Sequence, residues 1–304
     1  MDSPTVTLIT ILRERIEALR AEGNLEEALH TANAAVEKAQ QALTSDFESI
    51  DSFCSVLEIR AEILRGLGNH SPALDDYRQA IDQLDDRPDR LEQLGRLHAG
   101  SGASHDALGN RDGASKHWQQ AILCFERTTP PYLLDVASLS NNLGFLAKAA
   151  GDVDSAETHF LKALEILHTQ LGEVHEETAA VSNNLGALYH ASGYFEQARE
   201  MHMMALEARR SLYGESHPDT AQSHNNLALA LLETGDRNWA RRHFEKALAG
   251  FEDLGRQFCD DLEAVASNYC GFLREEGELA QANLVAGRVT EHLTKNRGGQ
   301  ASSL

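Results

Sequence analysis

The chain is poor in basic residues. Its 304 residues hold 27 Lys and Arg against 47 Asp and Glu, a formal net charge of −20. Nucleic acid asks for a basic face and is not an expected partner. The acidic residues are spread along the chain rather than gathered in a tail, as on a solvated surface; an electrostatic site for a basic partner is the alternative. No stretch approaches the roughly 18–20 apolar residues of a membrane span, and nothing in the sequence supports membrane-surface association. The N-terminus has no basic region followed by an apolar run and a cleavage site, so no secretion signal is expected. The four cysteines form no C-x-x-C pair. Cys259 and Cys270 on one helix would lie about 16 Å apart, too far for a disulfide. A reducing cytoplasm fits this usage. No nucleophile–base set, phosphate loop or zinc pattern stands out, and Gly151-Asp152-Val153-Asp154 lacks the spacing of a calcium loop. The expectation is a non-enzyme without catalytic residues, metal or cofactor.

What the chain does have is a repeat. Leu143, Leu185 and Leu227 are 42 residues apart, as are Gly151, Gly193 and Gly235, and Ala156, Ala198 and Ala240. A fixed period of this size is the signature of a solenoid. Within a copy, Leu143, Gly144 and Ala147 make one helical stripe, Gly151 stops the helix, and Ala156, Phe160 and Ala163 make a second stripe at i, i+4, i+7. Each copy is thus a helical hairpin with a small–large–small seam. The template extends backwards to Gly109/Ala114/Trp118/Ala121, Gly68/Ala73/Tyr77/Ala80 and Gly23/Ala28/Ala32/Ala35, and forwards to Tyr269/Gly277/Ala282/Val289. Glycines are many and prolines few, as turns between many helices require.

These spaced positions resemble the tetratricopeptide repeat (TPR), with a period longer than that family's roughly 34 residues. The resemblance implies an all-α fold, a right-handed α-solenoid of about seven TPR-like hairpins. One solenoid spans 1–295, with repeats at about 5–43, 46–86, 88–128, 131–171, 175–213, 217–255 and 259–295, and 296–304 read as a disordered tail. Ser71-Pro72 reads as an N-cap and N1 pair opening a second helix, and Ser216-His217-Pro218-Asp219 opens another helix similarly. Gly100, Ser101, Gly102 and Gly109 predict a bent or frayed first helix in the third repeat, a candidate hinge.

The connector Tyr213-Gly214-Glu215-Ser216-His217-Pro218-Asp219-Thr220-Ala221 and its sibling at 171–179 resemble the kinesin light chain connector. So do the Asn-Asn pairs at 141–142, 183–184 and 225–226. Residues 5–43 show no sustained heptads, unlike the region by which kinesin light chains join a motor. The chain is similar to the bacterial kinesin-light-chain proteins that accompany bacterial tubulin, which implies a cytoplasmic scaffold with a protein partner, a tubulin-like filament among the candidates. A sensor that holds an extended peptide in its groove, and a self-assembling scaffold, are the alternatives.

By the same resemblance, the first helices line an inner wall. Asn142, Asn184, Asn226 and Asn268 recur there in one row, and a primary amide can pair with both N–H and C=O of a bound peptide backbone. Ser138, Phe145, Lys148, His190, Gln222, Leu229 and Arg274 complete the candidate groove. The same asparagines could instead bond the neighbouring repeat. His202 sits where Phe160 and Phe244 sit, a core position rather than a metal ligand. Arg209-Arg210 and Arg241-Arg242 suggest intrahelical ion pairs. Apolar ends, Ile9 and Leu12 at one and Val285 and Val289 at the other, suggest end-mediated association.

Overall fold

The computed structural model describes residues 3–84, 87–254 and 256–297. Among these, all regular structure is helical. In chain order the helices are α1 (Ser3–Ala21), α2 (Leu25–Gln41), α3 (Phe47–Gly66), α4 (His70–Leu84), α5 (Leu91–Ala107), α6 (Arg111–Arg127) and α7 (Leu133–Ala150). There follow α8 (Val153–Leu171), α9 (Glu176–Ala191), α10 (Phe195–Tyr213), α11 (Pro218–Glu233), α12 (Arg237–Glu252), α13 (Cys259–Glu275) and α14 (Leu279–Arg297). Short 3-10 turns at Pro88–Arg90 and Arg256–Phe258 precede α5 and α13. The chain divides into two compact units, residues 1–146 and 147–304.

One turn joins the two helices of each hairpin. Gly23, Gly68, Gly109, Gly151, Gly193, Gly235 and Gly277 all have φ between 74° and 84°. A side chain is strained in that left-handed conformation, and glycine is not. The next residue's N–H then reaches back five residues to a helix carbonyl, as Asn24 does to Leu19 at 2.9 Å and Asp236 to Leu231 at 2.8 Å. Asn24, Asn110 and Asp152 also cap the following helix, accepting from the backbone N–H of Glu27, Gly113 and Ser155. At Ser71-Pro72 the structure differs from the sequence expectation: α4 begins at His70, and the Asn69 carbonyl accepts from Ala73 N–H. Pro72 falls within the first turn, where no intrahelical N–H is missed.

In the first unit α1 packs on α2, α2 on α3, α3 on α4, α4 on α5 and α5 on α6. In the second, each helix from α8 to α14 packs on the next. Contacts run mainly between sequence neighbours, with the first helices of adjacent hairpins also touching, as α3 does α5 and α9 does α11, as in a solenoid. The seam is a column of fully buried alanines, among them Ala114, Ala121, Ala198, Ala205, Ala240 and Ala247, with a large ring between each pair. Tyr77, Trp118, Phe160, His202 and Phe244 are those rings, all buried. His202 belongs to the core: a Cβ on Gly186 would lie 2.8 Å from its imidazole, and burial pushes its pKa down to about 4.

The third hairpin corrects the expectation of a frayed helix. Helix α5 is continuous, and its glycines are buried places for rings. A Cβ on Gly95 would lie 2.6 Å from the Phe125 ring; on Gly100 it would overlap the Tyr77 hydroxyl, and on Gly102 the Trp118 indole. Glycine here lets helices approach rather than bend. The division between the units falls in α7, not in α5.

Two further expectations are revised. Arg241 reaches the next hairpin, donating to both Glu278 oxygens at 2.9 and 2.5 Å, because Glu245, its own i+4 neighbour, accepts from Tyr269 instead. Arg209 likewise leaves its helix, donating to Ser223 Oγ at 2.8 Å and the Asp219 carbonyl at 3.3 Å. At the ends, Ile9, Val285 and Val289 are buried in their own hairpins, so charging them would break the fold; Leu8, Ile11, Leu279 and Leu284 are the exposed apolar residues. Of the expected tail, Asn296 and Arg297 continue α14, and the rest lies outside the described residues.

Candidate functional site

Helices α9, α11 and α13 begin where the two kinesin-type connectors and the second 3-10 turn end. The histidine of each connector caps its helix: His175 Nδ1 accepts from Glu177 N–H and His217 Nδ1 from Asp219 N–H, both at 3.2 Å. Pro218 follows at the first helical position, and the Tyr213 ring stacks on His217 with centroids 4.3 Å apart. The connector motif thus fixes where the first helix of a hairpin starts, and with it the phase of every side chain along that helix.

That phase brings the asparagines of the second unit into a ladder. Asn226 Nδ2 donates to Asn183 Oδ1 at 2.9 Å, and Asn268 Nδ2 donates to Asn225 Oδ1 at 3.1 Å. The second asparagine of one repeat therefore holds the first asparagine of the repeat before it. Asn226 Oδ1 also accepts from Gln222 Nε2 at 2.9 Å and Asn225 Nδ2 at 3.4 Å. An amide has two N–H donors and one oxygen with two lone pairs. At Asn226 both lone pairs and one N–H are used within the protein, and Asn225 is itself buried. Little of this amide remains to read a peptide backbone. The geometry favours a staple between repeats.

Asn226→Ala is accordingly expected to lower stability by about 1–3 kcal/mol, since it removes several hydrogen bonds and leaves the buried Asn225 amide and the half-buried Gln222 amide without their acceptor. Asn268→Ala, which removes the single bond to Asn225, should cost about 0.5–1.5 kcal/mol. Urea unfolding of the two variants checks the order; a loss at Asn226 no larger than at an exposed surface site would reject the staple.

The other predicted residues do not join this ladder and are taken unit by unit. Asn184 and His190 on α9 are half-buried, the latter with its ring edge-on to Phe195 at 5.6 Å. Leu229 packs against the core of α11–α14, and Arg274 is exposed on α13. Lys148, at the end of α7, is half-buried. In the first unit, Ser138 and Phe145 are exposed on α7 and Asn142 is half-buried.

Asn142 lines a cavity of about 370 Å³ formed by α3, α5, α6 and α7. Its floor includes Gly100, which stands where later repeats carry asparagine, and its walls carry the ion pairs Arg96–Glu58 and Arg65–Glu62, both with 2.6 Å contacts. Sequence reasoning missed this pocket, because its charged lining residues, Glu58, Glu62, Arg65 and Arg96, come from two helices that meet only in the fold. The arrangement offers paired charges and a small-residue floor. Among the described residues no three of His, Cys, Asp and Glu are grouped to hold a metal ion, and no helix is long and apolar enough to cross a membrane.

Glycine-stopped helical hairpins with an alanine seam, each packed on the next, define a tetratricopeptide-type solenoid, the class of proteins that act as interaction scaffolds. Residues 135–211 and 191–253 match the tetratricopeptide repeat family and carry its repeats. BtubC (BKLC) from P. vanneervenii is similar in structure, with 25% identity and a TM-score of 0.59 over 74% of this chain and 90% of that one. The C-terminal part of a TPR repeat-containing protein from Cytophaga hutchinsonii, 13% identical, shares the fold at a TM-score of 0.63 over 95% of this chain and 96% of that one. The Photosystem I assembly protein Ycf3 of Synechococcus elongatus is 33% identical over 102 residues, 34% of this chain and 54% of Ycf3. The chain spans about half the length of this curated relative.

Proposed function

We propose that this chain is a non-enzymatic cytoplasmic scaffold that binds a bacterial tubulin-like filament. The observation that carries the reading is the likeness to BtubC, which extends over 90% of that protein at 25% identity. The kinesin-light-chain-type connectors support it independently, because they are built into the starts of α9 and α11 rather than left as loose loops. The four free cysteines suit a reducing compartment. A groove that reads a bare peptide is the weaker alternative, since the asparagine amides best placed for it are engaged between repeats. The filament contact then falls on exposed side chains rather than on these amides; Ser138 and Phe145 of α7 are two such residues in the first unit.

Co-sedimentation with polymerised bacterial tubulin tests the proposal. The protein is expected to enter the pellet saturably with polymer and to stay in solution without it. Protein that remains in the supernatant at every polymer concentration would refute the filament partner while leaving the scaffold class intact.

A further inference from the structure

Two hairpins, one in each unit, carry the same unusual contact. In the first unit His98 on α5 meets His117 on α6, Nδ1 to Nδ1 at 3.0 Å. In the second, His224 on α11 meets His243 on α12, Nδ1 to Nδ1 at 2.8 Å. The rings are tilted alike, by 39° and 40°, with centroids 5.2 and 4.9 Å apart. His98 and His224, like His117 and His243, are three 42-residue periods apart, so the pairs occupy one position of the repeat. The α9/α10 hairpin has Ser182 and Met201 at that position, and α13/α14 has Ala266 and Val285.

An imidazole–imidazole contact of this length is a hydrogen bond only if one Nδ1 carries a proton and the other a lone pair. One added proton can be accommodated, since an imidazolium still donates to a neutral partner. A second cannot: two N–H groups would then point at each other with two positive charges about 3 Å apart. We propose that the two histidine pairs are acid-release clasps, which hold α5 to α6 and α11 to α12 at neutral pH and part them when both imidazoles are protonated.

The surroundings of the pairs differ. His117 and His105, whose rings stack at 5.2 Å, line a cavity of about 460 Å³ with Asp75, Arg78 and Asp82 of α4, and Asp75 is taken up by Arg78 at 2.9 Å. Lys116 is the nearby cation on α6. Burial first, and then Lys116, hold His98 down to about 4; burial, then His98, His105 and Lys116, do the same for His117. In the second unit Glu215 takes His224 Nε2 at 3.0 Å and Lys246 at 3.3 Å. This sets a chain in which His243 donates to His224 and His224 to the carboxylate. Burial is the largest influence on His224 and pushes it down; Glu215 opposes it, while Lys246 and Arg210 act with it. His243 is held down to about 4 by burial, then by His224 and Lys246, against Glu215.

The sign follows from linkage. These imidazoles titrate lower in the folded state than their ordinary 6.5. The unfolded chain therefore binds more protons between pH 6.5 and 4, and stability is complete above that window and lost as pH falls through it. The paired carboxylates with lowered pKa values, such as Asp152 and Glu278, weaken the fold only in stronger acid. His202 contributes to the same window as the clasps, so a variant comparison is needed to isolate them.

The test uses the full chain and His117→Asn with His243→Asn. An asparagine amide can donate to the partner Nδ1 and does not titrate. Hydrogen exchange is compared at pH 7.5 and 5, corrected for intrinsic rates. In the wild type, α5/α6 and α11/α12 should lose at least ~10-fold protection in acid, while α13/α14 changes little. The double variant should suppress most of that loss. Equal acid deprotection in wild type and variant, or deprotection spread evenly over all hairpins, would overturn the clasp. Should the variant fail to fold, NMR titration of the wild-type imidazoles decides: titration of all four pair members below the ordinary 6.5 supports the proposal, and titration of any of them at 6.5 or above refutes it.

Discussion

Arg60→Met is expected to destabilise the first unit by about 3–5 kcal/mol. The Arg60 guanidinium grips Asp76 with two parallel bonds, Nε to Oδ2 at 2.7 Å and Nη2 to Oδ1 at 2.6 Å, and its Nη1 donates to Asn33 at 3.2 Å. The Asp76 side chain is only 3% exposed. Without Arg60 its charge stays buried between α3 and α4 with no counter-ion, the costly way to break such a pair. Adding Asp76→Leu removes the stranded carboxylate and should recover most of the loss. Arg60→Lys should recover little, because an ammonium cannot make the two-pronged contact. Urea unfolding of the three variants gives the answer. A cost below about 1 kcal/mol for the single variant would mean that water reaches Asp76 and the pair is a surface one.

The second large effect reverses a rule of thumb. Glycine inside a helix normally costs about 1 kcal/mol relative to alanine, so Gly100→Ala and Gly102→Ala would ordinarily stabilise α5. Here the added methyl groups would overlap the Tyr77 hydroxyl and the Trp118 indole. Both rings are held in place. The Tyr77 hydroxyl donates to Glu62, and Trp118 Nε1 donates to the Ala99 carbonyl at 3.3 Å. Overpacking typically costs about 1–3 kcal/mol, and the propensity gain of about 1 kcal/mol offsets part of it, so each variant should lose up to about 2 kcal/mol net. Gly271→Ala is the internal control: it lies in helix α13 with nothing within 4 Å of its would-be Cβ. It should gain up to about 1 kcal/mol. Thermal unfolding of the three variants must show opposite signs. Stabilisation at all three positions would mean that α5 is limited by propensity after all.

These glycines mark the limit of what is legible in the sequence. Period, hairpin and seam follow from residues close together in the chain, so the 42-residue register alone locates Gly151, Ala156 and Phe160. Both candidate roles of the asparagine row are legible in the same way. Choosing between them requires distances, because Asn226 and Asn183 are 43 residues apart in the chain. The failures share one cause. Gly100 and Gly102 look weak on α5 alone, and the rings they admit come from α4 and α6. Arg241 suggests an i, i+4 pair until Tyr269 takes Glu245. Val285 and Val289 look like an unfinished end until α13 covers them. The histidine pairs are legible in principle, since His98/His117 and His224/His243 share both their 19-residue separation and their repeat position, but only when two helices are read at a time.

The asparagine ladder has a consequence for assembly of the chain itself. The alternating alanines and rings of the seam register the two helices within a hairpin, and the amides register the first helices of successive hairpins. Each amide must meet its counterpart 43 residues away, and a shift of one turn, about 5.4 Å, parts them entirely. The amides thus act as stops, giving α11 one resting position against α9, and α13 one against α11.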